Sequence, residues 1–310
     1  MIKEEVFSLK SSSKRSFGVM HIFPSSGGLK AVVQIIPGMA EHTGRYREFA
    51  FFLAENGYDV YCADHPGSGI SAGKEKNLGV LPVFKGWEVM LESIRALYTH
   101  IRQKHVDLPV FIFGHSMGSV LARHFTAVYP VYIGGLILSG TFETPDIIIK
   151  FSRALVGLMI RIQGGKTKSK WFNRLFYKNL NRRFRKGPTI FEWISSVREE
   201  VDNYVEDPWC GYDCSWGFYK SLFIGITAMK RAQHNLKYRK TLPILNFCGQ
   251  DDPVGNFGKD ALRIHHYYFR QRFQNHTFKV FRGRHELLHE ENKEVVFFYL
   301  LDWLNNNLRP

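Results

Sequence analysis

The chain is poor in cysteine, with Cys62, Cys210, Cys214 and Cys248 as its only four. They are too few and too scattered for a disulfide framework. Cys210 and Cys214 form a C-x3-C pair with no second pair to complete a zinc site, so no metal is expected. Cys62 and Cys248 sit in apolar runs, where a thiol behaves as a small hydrophobe. A long apolar run is also missing. The longest stretch without charge, Phe125 to Phe142, contains Pro130, Gly134, Gly135 and Gly140. That composition suits a helix end, a turn and a buried strand better than a membrane span. The N-terminal MIKEEVFSLKSSSKR carries both signs of charge and lacks the apolar centre of a secretory signal. A soluble, cytoplasmic protein is the expectation.

Acid is scarce in one region. The net charge is +14, and between Lys150 and Lys186 twelve Lys or Arg residues occur with no Asp or Glu. A solvated face on an inserted region accounts for such a run. Attraction to an anionic surface is the functional alternative. Peripheral contact of residues 150–186 with anionic phospholipid is the partner this suggests, and nucleic acid is not expected.

Apolar residues make up 45% of the 310, enough for one large domain with an insertion. Short β-branched or aromatic runs at Val6–Leu9, Phe17–Phe23, Ala31–Ile36, Tyr58–Ala63, Val110–Phe113 and Gly135–Leu138 alternate with helical patterns at Tyr46–Asn56, Val83–Lys104 and Met117–Tyr129. That alternation predicts a mostly parallel sheet with helices on both faces. From about Thr141 to Lys240 no clear strand occurs. Ile147, Phe151, Leu155, Leu158, Met159 and Ile162 recur there at helical spacing. Packing onto the sheet is the expected fate of this stripe, and a lipid-facing surface is the alternative. Alternation resumes with strands at Pro243–Cys248 and Thr277–Phe281 and helices near Lys259–Phe273 and Leu288–Leu304. The expected domains are an α/β core of residues 1–140 and 241–310 and a helical insertion of residues 141–240 after the sixth strand.

The sharpest chemical signal is Gly114-His115-Ser116-Met117-Gly118, a G-x-S-x-G placed between an apolar strand and a helix. A serine at such a turn is held in a strained conformation with its hydroxyl above the sheet. It needs a base, and the base needs an orienting acid. In this context the chain order is serine, acid, histidine. Asp252 follows the seventh strand, with Asp251 as its competitor. His285 follows the eighth, with His289 as its rival, placed on the final helix. Acyl transfer also needs oxyanion donors. These are expected from the backbone N–H of Met117 and of Met39, the latter in the loop Pro37–His42.

These residues resemble the lysophospholipase and monoacylglycerol lipase branch of the α/β hydrolases, grouped with the serine aminopeptidases. The family's H-G-x-x-E-H loop resembles Pro37 to His42, followed by Gly44-Arg45-Tyr46. Its G-H-S-M-G elbow is Gly114 to Gly118, its G-x-x-D-P-V acid motif is Gly249 to Val254, and its R-H-E tail is Arg284 to Glu286. The resemblance implies an eight-stranded α/β-hydrolase fold, Ser116, Asp252 and His285 as catalytic triad, no cofactor, and a helical cap over an acyl-binding cleft. The implied activity is carboxylic ester hydrolysis of a single-acyl lipid, a lysophospholipid or a monoacylglycerol. Thioester hydrolysis or acyl transfer to an alcohol shares the same acyl-enzyme. A silent basic binding module on the same scaffold is the reading from another class. Three positions depart from the pattern: Pro37 and Ser68 each stand where the family has His, and His289 where Asn is common.

Overall fold

The computed structural model describes residues 1–129, 131–234 and 240–308, so Pro130 lies outside the described residues. Eight strands form one sheet: β1 (Ile2–Lys10), β2 (Ser16–Pro24), β3 (Ala31–Ile36), β4 (Tyr58–Ala63), β5 (Val110–His115), β6 (Gly135–Ser139), β7 (Ile244–Gly249) and β8 (His276–Phe281). Their order is β1-β2-β4-β3-β5-β6-β7-β8. β2 pairs antiparallel with β1 and β4, and every later pairing is parallel. The expected mostly parallel sheet is therefore present.

Alternation along the central strands divides the core into two layers. Val32, Ile36, Ile112 and Leu138 face a cluster shared with α2 (Gly86–Lys104), α3 (Met117–Val128) and α8 (Lys259–Arg270). Val33, Ile35, Phe113 and Ile137 face the opposite way, toward α1 (Arg47–Glu55) and α9 (Lys293–Asn306). Every residue of β3 and β5 is buried, which is why those runs are continuously apolar. Gln34 is the polar exception in β3, and its Nε2 donates to Ile94 O at 3.0 Å.

Between β6 and β7 the chain forms α4 (Asp146–Gln163), α5 (Lys170–Leu180), α6 (Arg198–Glu206) and α7 (Trp216–His234). The apolar stripe of α4 differs from expectation. Ile149 and Val156 are the residues it buries, while Ile147, Phe151, Leu158 and Ile162 are exposed. The helix α7 packs against the other face. The last helix starts at Lys293 rather than Leu288, because Leu287–His289 form a 3-10 turn and Glu290 accepts from Arg284 N at 2.7 Å. His289 therefore precedes the final helix instead of riding on it.

The chain runs outward from β3 to β4 and then returns to β5, so β3 and β5 are neighbours with Ile36 opposite Gly114. Ligands of open parallel sheets bind beyond the carboxyl ends of strands at such a reversal. The loop at Pro37 and the turn at Ser116 both leave the sheet there.

Candidate active site

Ser116 sits between β5 and α3 with φ 51° and ψ −120°, a conformation that L-residues rarely adopt. Two close approaches account for the flanking glycines. A Cβ on Gly114 would lie 2.5 Å from Gly118 O, and one on Gly118 would lie 2.0 Å from Ile36 O. The turn is closed by Ser116 N donating to Ser139 O at 2.9 Å and by Ser119 Oγ donating to Ser116 O at 2.6 Å. Met117 is the first residue of α3, so its N–H is a donor for which the helix supplies no acceptor.

His285 and Asp252 meet across the ends of β8 and β7. The His285 Nδ1 lies 2.9 Å from Asp252 Oδ1, which also accepts Val254 N–H at 2.9 Å. Both side chains are buried. Burial pushes the imidazole toward its neutral form, but the Asp252 charge and hydrogen bond outweigh it, so the His285 pKa lies above its ordinary value. Asp251 is half-exposed and its carboxylate meets Gln250 Nε2 at 3.2 Å. His289 points elsewhere, with Nδ1 3.2 Å from Glu200. The structure thus brings Asp252 to His285, and neither Asp251 nor His289 joins them.

Ser116, His285, Met39 and Met117 line one cavity of about 410 Å³. Phe142, Ile148, Phe172, Leu222, Phe223 and Ile226 supply its apolar wall. A larger groove of about 830 Å³, lined by Arg47, Phe51, Phe298 and His289 among others, lies outside this site and contains no candidate nucleophile.

The loop carrying Met39 is braced by groups that local sequence does not reveal. Glu41 Oε1 accepts from Gly38 N and from Tyr46 Oη, the latter at 2.6 Å. Burial and the nearby Glu286 charge raise the Glu41 carboxyl to about 7. Glu286 is ion-paired to Arg45. Where Pro37 replaces the family histidine, His65 Nε2 meets Pro37 O at 2.9 Å from the next loop. Burial lowers His65 to about 4, keeping it a neutral donor. His65 therefore ties the start of the oxyanion loop to the loop after β4. Glu41 and Arg45 were visible as motif letters only, and the partner of Arg45, Glu286, is one that the fold supplies.

Residues of the helical segment reach this site through the main chain. His285 N donates to Trp193 O at 3.3 Å and Glu286 N to Ile194 O at 2.8 Å. Arg284 Nη1 donates to Ser195 O at 2.6 Å. Trp193 also sets its ring 5.2 Å from the His285 ring. No sequence signal pointed to residues 192–196.

Cys210, His42 and Asp207 also lie together. His42 Nε2 meets Asp207 Oδ2 at 2.8 Å and its Nδ1 accepts Gly44 N–H at 3.2 Å, so hydrogen bonds occupy both ring nitrogens. All four cysteines are free and buried. No helix among the described residues is long and apolar enough to cross a membrane.

The chain matches known proteins over most of its length. The profile of the family described as "Serine aminopeptidase, S33" aligns with residues 27–292. A monoglyceride lipase of Homo sapiens is 27% identical over 286 residues, covering 90% of this chain and 84% of that protein. The Mus musculus monoglyceride lipase is 26% identical over 287 residues, covering 91% and 85%. Among solved structures, a thermostable carboxyl esterase from Bacillus coagulans superposes with a TM-score of 0.85 at 24% identity, covering 99% of both chains. A soluble variant of the Saccharomyces cerevisiae monoglyceride lipase gives 0.75 at 17% identity, covering 99% and 96%. These two likenesses speak to the fold.

Proposed function

The chain belongs to the serine aminopeptidase S33 family and is a carboxylic ester hydrolase, and from that premise we propose that it cleaves monoacylglycerols through an acyl-enzyme on Ser116. The observation that favours a neutral substrate over a lysophospholipid is the charge of the cavity wall. Among the described residues no Lys or Arg lines it, while Glu41, Glu143 and Glu286 do. A phosphodiester entering such a cavity would lose its hydration without gaining a countercharge. A glycerol head would not.

In this reading Ser116 Oγ attacks the ester carbonyl as His285 takes its proton, and Asp252 stabilises the imidazolium that forms. The N–H groups of Met39 and Met117 donate to the tetrahedral oxyanion. Collapse of that intermediate passes the proton from His285 to the departing glycerol oxygen. Water, activated by the same imidazole, then releases the fatty acid. Helices α4 to α7 act as a cap, with their apolar side chains along the acyl chain.

The same helices favour peripheral contact with an anionic bilayer. Ile147, Phe151 and Ile162 are 73%, 72% and 67% exposed on α4, and Trp171 and Leu175 are exposed on α5. Lys150, Arg153, Arg161, Lys170 and Arg174 lie among them. A helix with adjacent apolar and cationic stripes suits a lipid interface, and the apolar exposure disfavours nucleic acid.

Fatty-acid release from monooleoylglycerol and from the oleoyl lysophosphatidylglycerol, with Ser116→Ala as control, tests the assignment. The neutral ester should be preferred by about tenfold or more in kcat/KM, as expected when a charge is desolvated without a partner. Preference for the phospholipid, or turnover by Ser116→Ala, would overturn it. A thioester or an alcohol acceptor that outcompetes water would redirect it to the neighbouring chemistries.

A further inference from the structure

A groove of about 640 Å³ between α4 and α7 is strongly cationic. Lys150 and Arg153 line it from α4, and Lys220, Lys230 and Arg231 line it from α7. Asp146 is the one acid among its lining residues, and Lys230 Nζ already holds it at 2.7 Å. Lys220 lies over the Phe84 ring, 4.5 Å from its centre. None of the ion pairs among the described residues involves Lys150, Arg153 or Arg231. Cations held side by side without a countercharge repel one another, and an anion between them removes that cost.

The faces of α4 relate this groove to the rest of the molecule. At 3.6 residues per turn, Ile147, Phe151 and Leu158 share one edge of the helix. All three are exposed. Lys150 and Arg153 flank that edge on one side and line the groove, whereas Ile148 and Ser152 flank it on the other and line the cavity with Ser116. The remaining face buries Ile149 and Val156. Ile149, Ala154 and Ile224 add apolar lining to the groove beside its cations. One helix therefore carries an apolar edge between a cationic groove and the reaction cavity.

We infer that the groove between α4 and α7 binds the phosphodiester of an anionic phospholipid while the apolar edge of α4 enters the acyl layer beside it. The inference rests on the reading of these helices as a bilayer contact, and it gives that contact a headgroup site. A guanidinium presents paired N–H donors that match the two unesterified oxygens of a phosphodiester. Arg153 and Arg231 supply one guanidinium from each wall. A free phosphate would meet the same cations but leave the apolar edge in water, whereas a lipid in its bilayer satisfies both. A zwitterionic headgroup brings its own cation into a groove already crowded with them. Phosphatidylglycerol should therefore be held more tightly than phosphatidylcholine.

The probe is dihexanoylphosphatidylglycerol below its micellar concentration, which presents the headgroup without a charged surface. It is titrated calorimetrically into the full chain carrying Ser116→Ala, so that no lipid is cleaved. Two double variants are compared in that background: Arg153→Gln/Arg231→Gln in the groove, and Lys170→Gln/Arg174→Gln on α5 outside it. Saturable binding of one equivalent is expected, weakened by about tenfold or more in the groove variant, as loss of charge-assisted hydrogen bonds implies. The α5 variant should bind within about twofold of its parent, and dihexanoylphosphatidylcholine should bind about tenfold more weakly. Absence of saturable binding, or equal losses in both variants, overturns the site. Inorganic phosphate bound as tightly as the lipid, or an oligouridylate bound more tightly, overturns the lipid as its occupant. Flotation with phosphatidylglycerol vesicles separates this inference from the reading beneath it. A groove variant that floats as well as the wild type overturns the groove alone. A wild type that floats with no vesicle removes the bilayer contact, and the headgroup site with it.

Discussion

Replacing Asp252 by Asn probes the site most sharply, because it removes a charge and leaves the shape. Asp252 is 0% exposed, and its Oδ1 accepts from both His285 Nδ1 and Val254 N at 2.9 Å. An amide can keep its carbonyl oxygen on both donors, so the imidazole stays where it is. What disappears is the attraction between the carboxylate and the imidazolium formed in the transition state. At a charge separation of about 4 Å and an effective dielectric of about 20, that attraction is about 4 kcal/mol. It corresponds to a fall of about a thousandfold in kcat/KM. Asp251→Asn touches a half-exposed group bonded to Gln250 and should change the rate by less than about threefold. The pH profile supplies a second readout with a fixed sign. Asp252 holds the His285 pKa above its ordinary value against burial. Without the charge burial prevails, the pKa falls, and the neutral base persists to lower pH. The acid limb of the rate profile therefore moves down even as the plateau drops. Steady-state hydrolysis of a p-nitrophenyl ester from pH 4 to pH 9, with thermal unfolding as a folding control, measures both. A folded Asp252→Asn variant within tenfold of wild type, or an acid limb displaced upward, would refute the reasoning.

Gly118→Ala should cost more than an ordinary surface change, since the new Cβ would lie 2.0 Å from the backbone oxygen of Ile36 and neither strand nor helix has room to yield. Reduced soluble yield, or a Tm several degrees below wild type together with loss of fluorophosphonate labelling, is expected; an unaltered, fully labelled protein would contradict it. Glu41 has a folded pKa of about 7 against an ordinary 4.5, so between those values the folded state holds a proton that the unfolded state has released. Stability therefore declines as pH rises through that window, and Glu41→Gln, which keeps the acceptor for Gly38 and Tyr46, should flatten the decline in a Tm-versus-pH series. Equal slopes in both proteins would count against it. Phe151→Ser with Ile147→Ser should lower flotation with vesicles containing phosphatidylglycerol by at least about tenfold, as removing two exposed apolar side chains that would enter the bilayer implies. Flotation that never depends on anionic lipid or on these residues would remove the case for bilayer contact.

The eight strands were legible because each is a short apolar run bounded by turn residues, and β3 and β5 are apolar on both faces for the plain reason that helices cover both. The mostly parallel character of the sheet was legible from the alternation of strands and helices, but its strand order was not. The start of α9 was not, since a side-chain contact from Glu290 to Arg284 N delays it past Leu288. The fate of the α4 stripe was equally hidden. Periodicity reports that one face is apolar, but not whether a neighbour exists to cover it, and here α7 packs on the face with Ile149 and Val156 instead. At the site, serine, histidine and the candidate acids could be named from their places after strands. The choice between Asp251 and Asp252 rested on motif resemblance until a distance was available. Arg45 and His65 could not be given a role by local pattern, because their partners Glu286 and Pro37 are distant in the chain and only folding brings them together.

The main-chain bonds from His285 and Glu286 to Trp193 and Ile194 have a mechanical consequence. The stretch that roofs the cavity and the stretch that carries the imidazole are stitched edge to edge like two short strands. Whatever lifts the roof to admit a fatty chain must pull on the histidine or first unpick those stitches. A shortened protein that splices residue 140 to residue 241 would lose not just a lid but the rail along which its base is aligned.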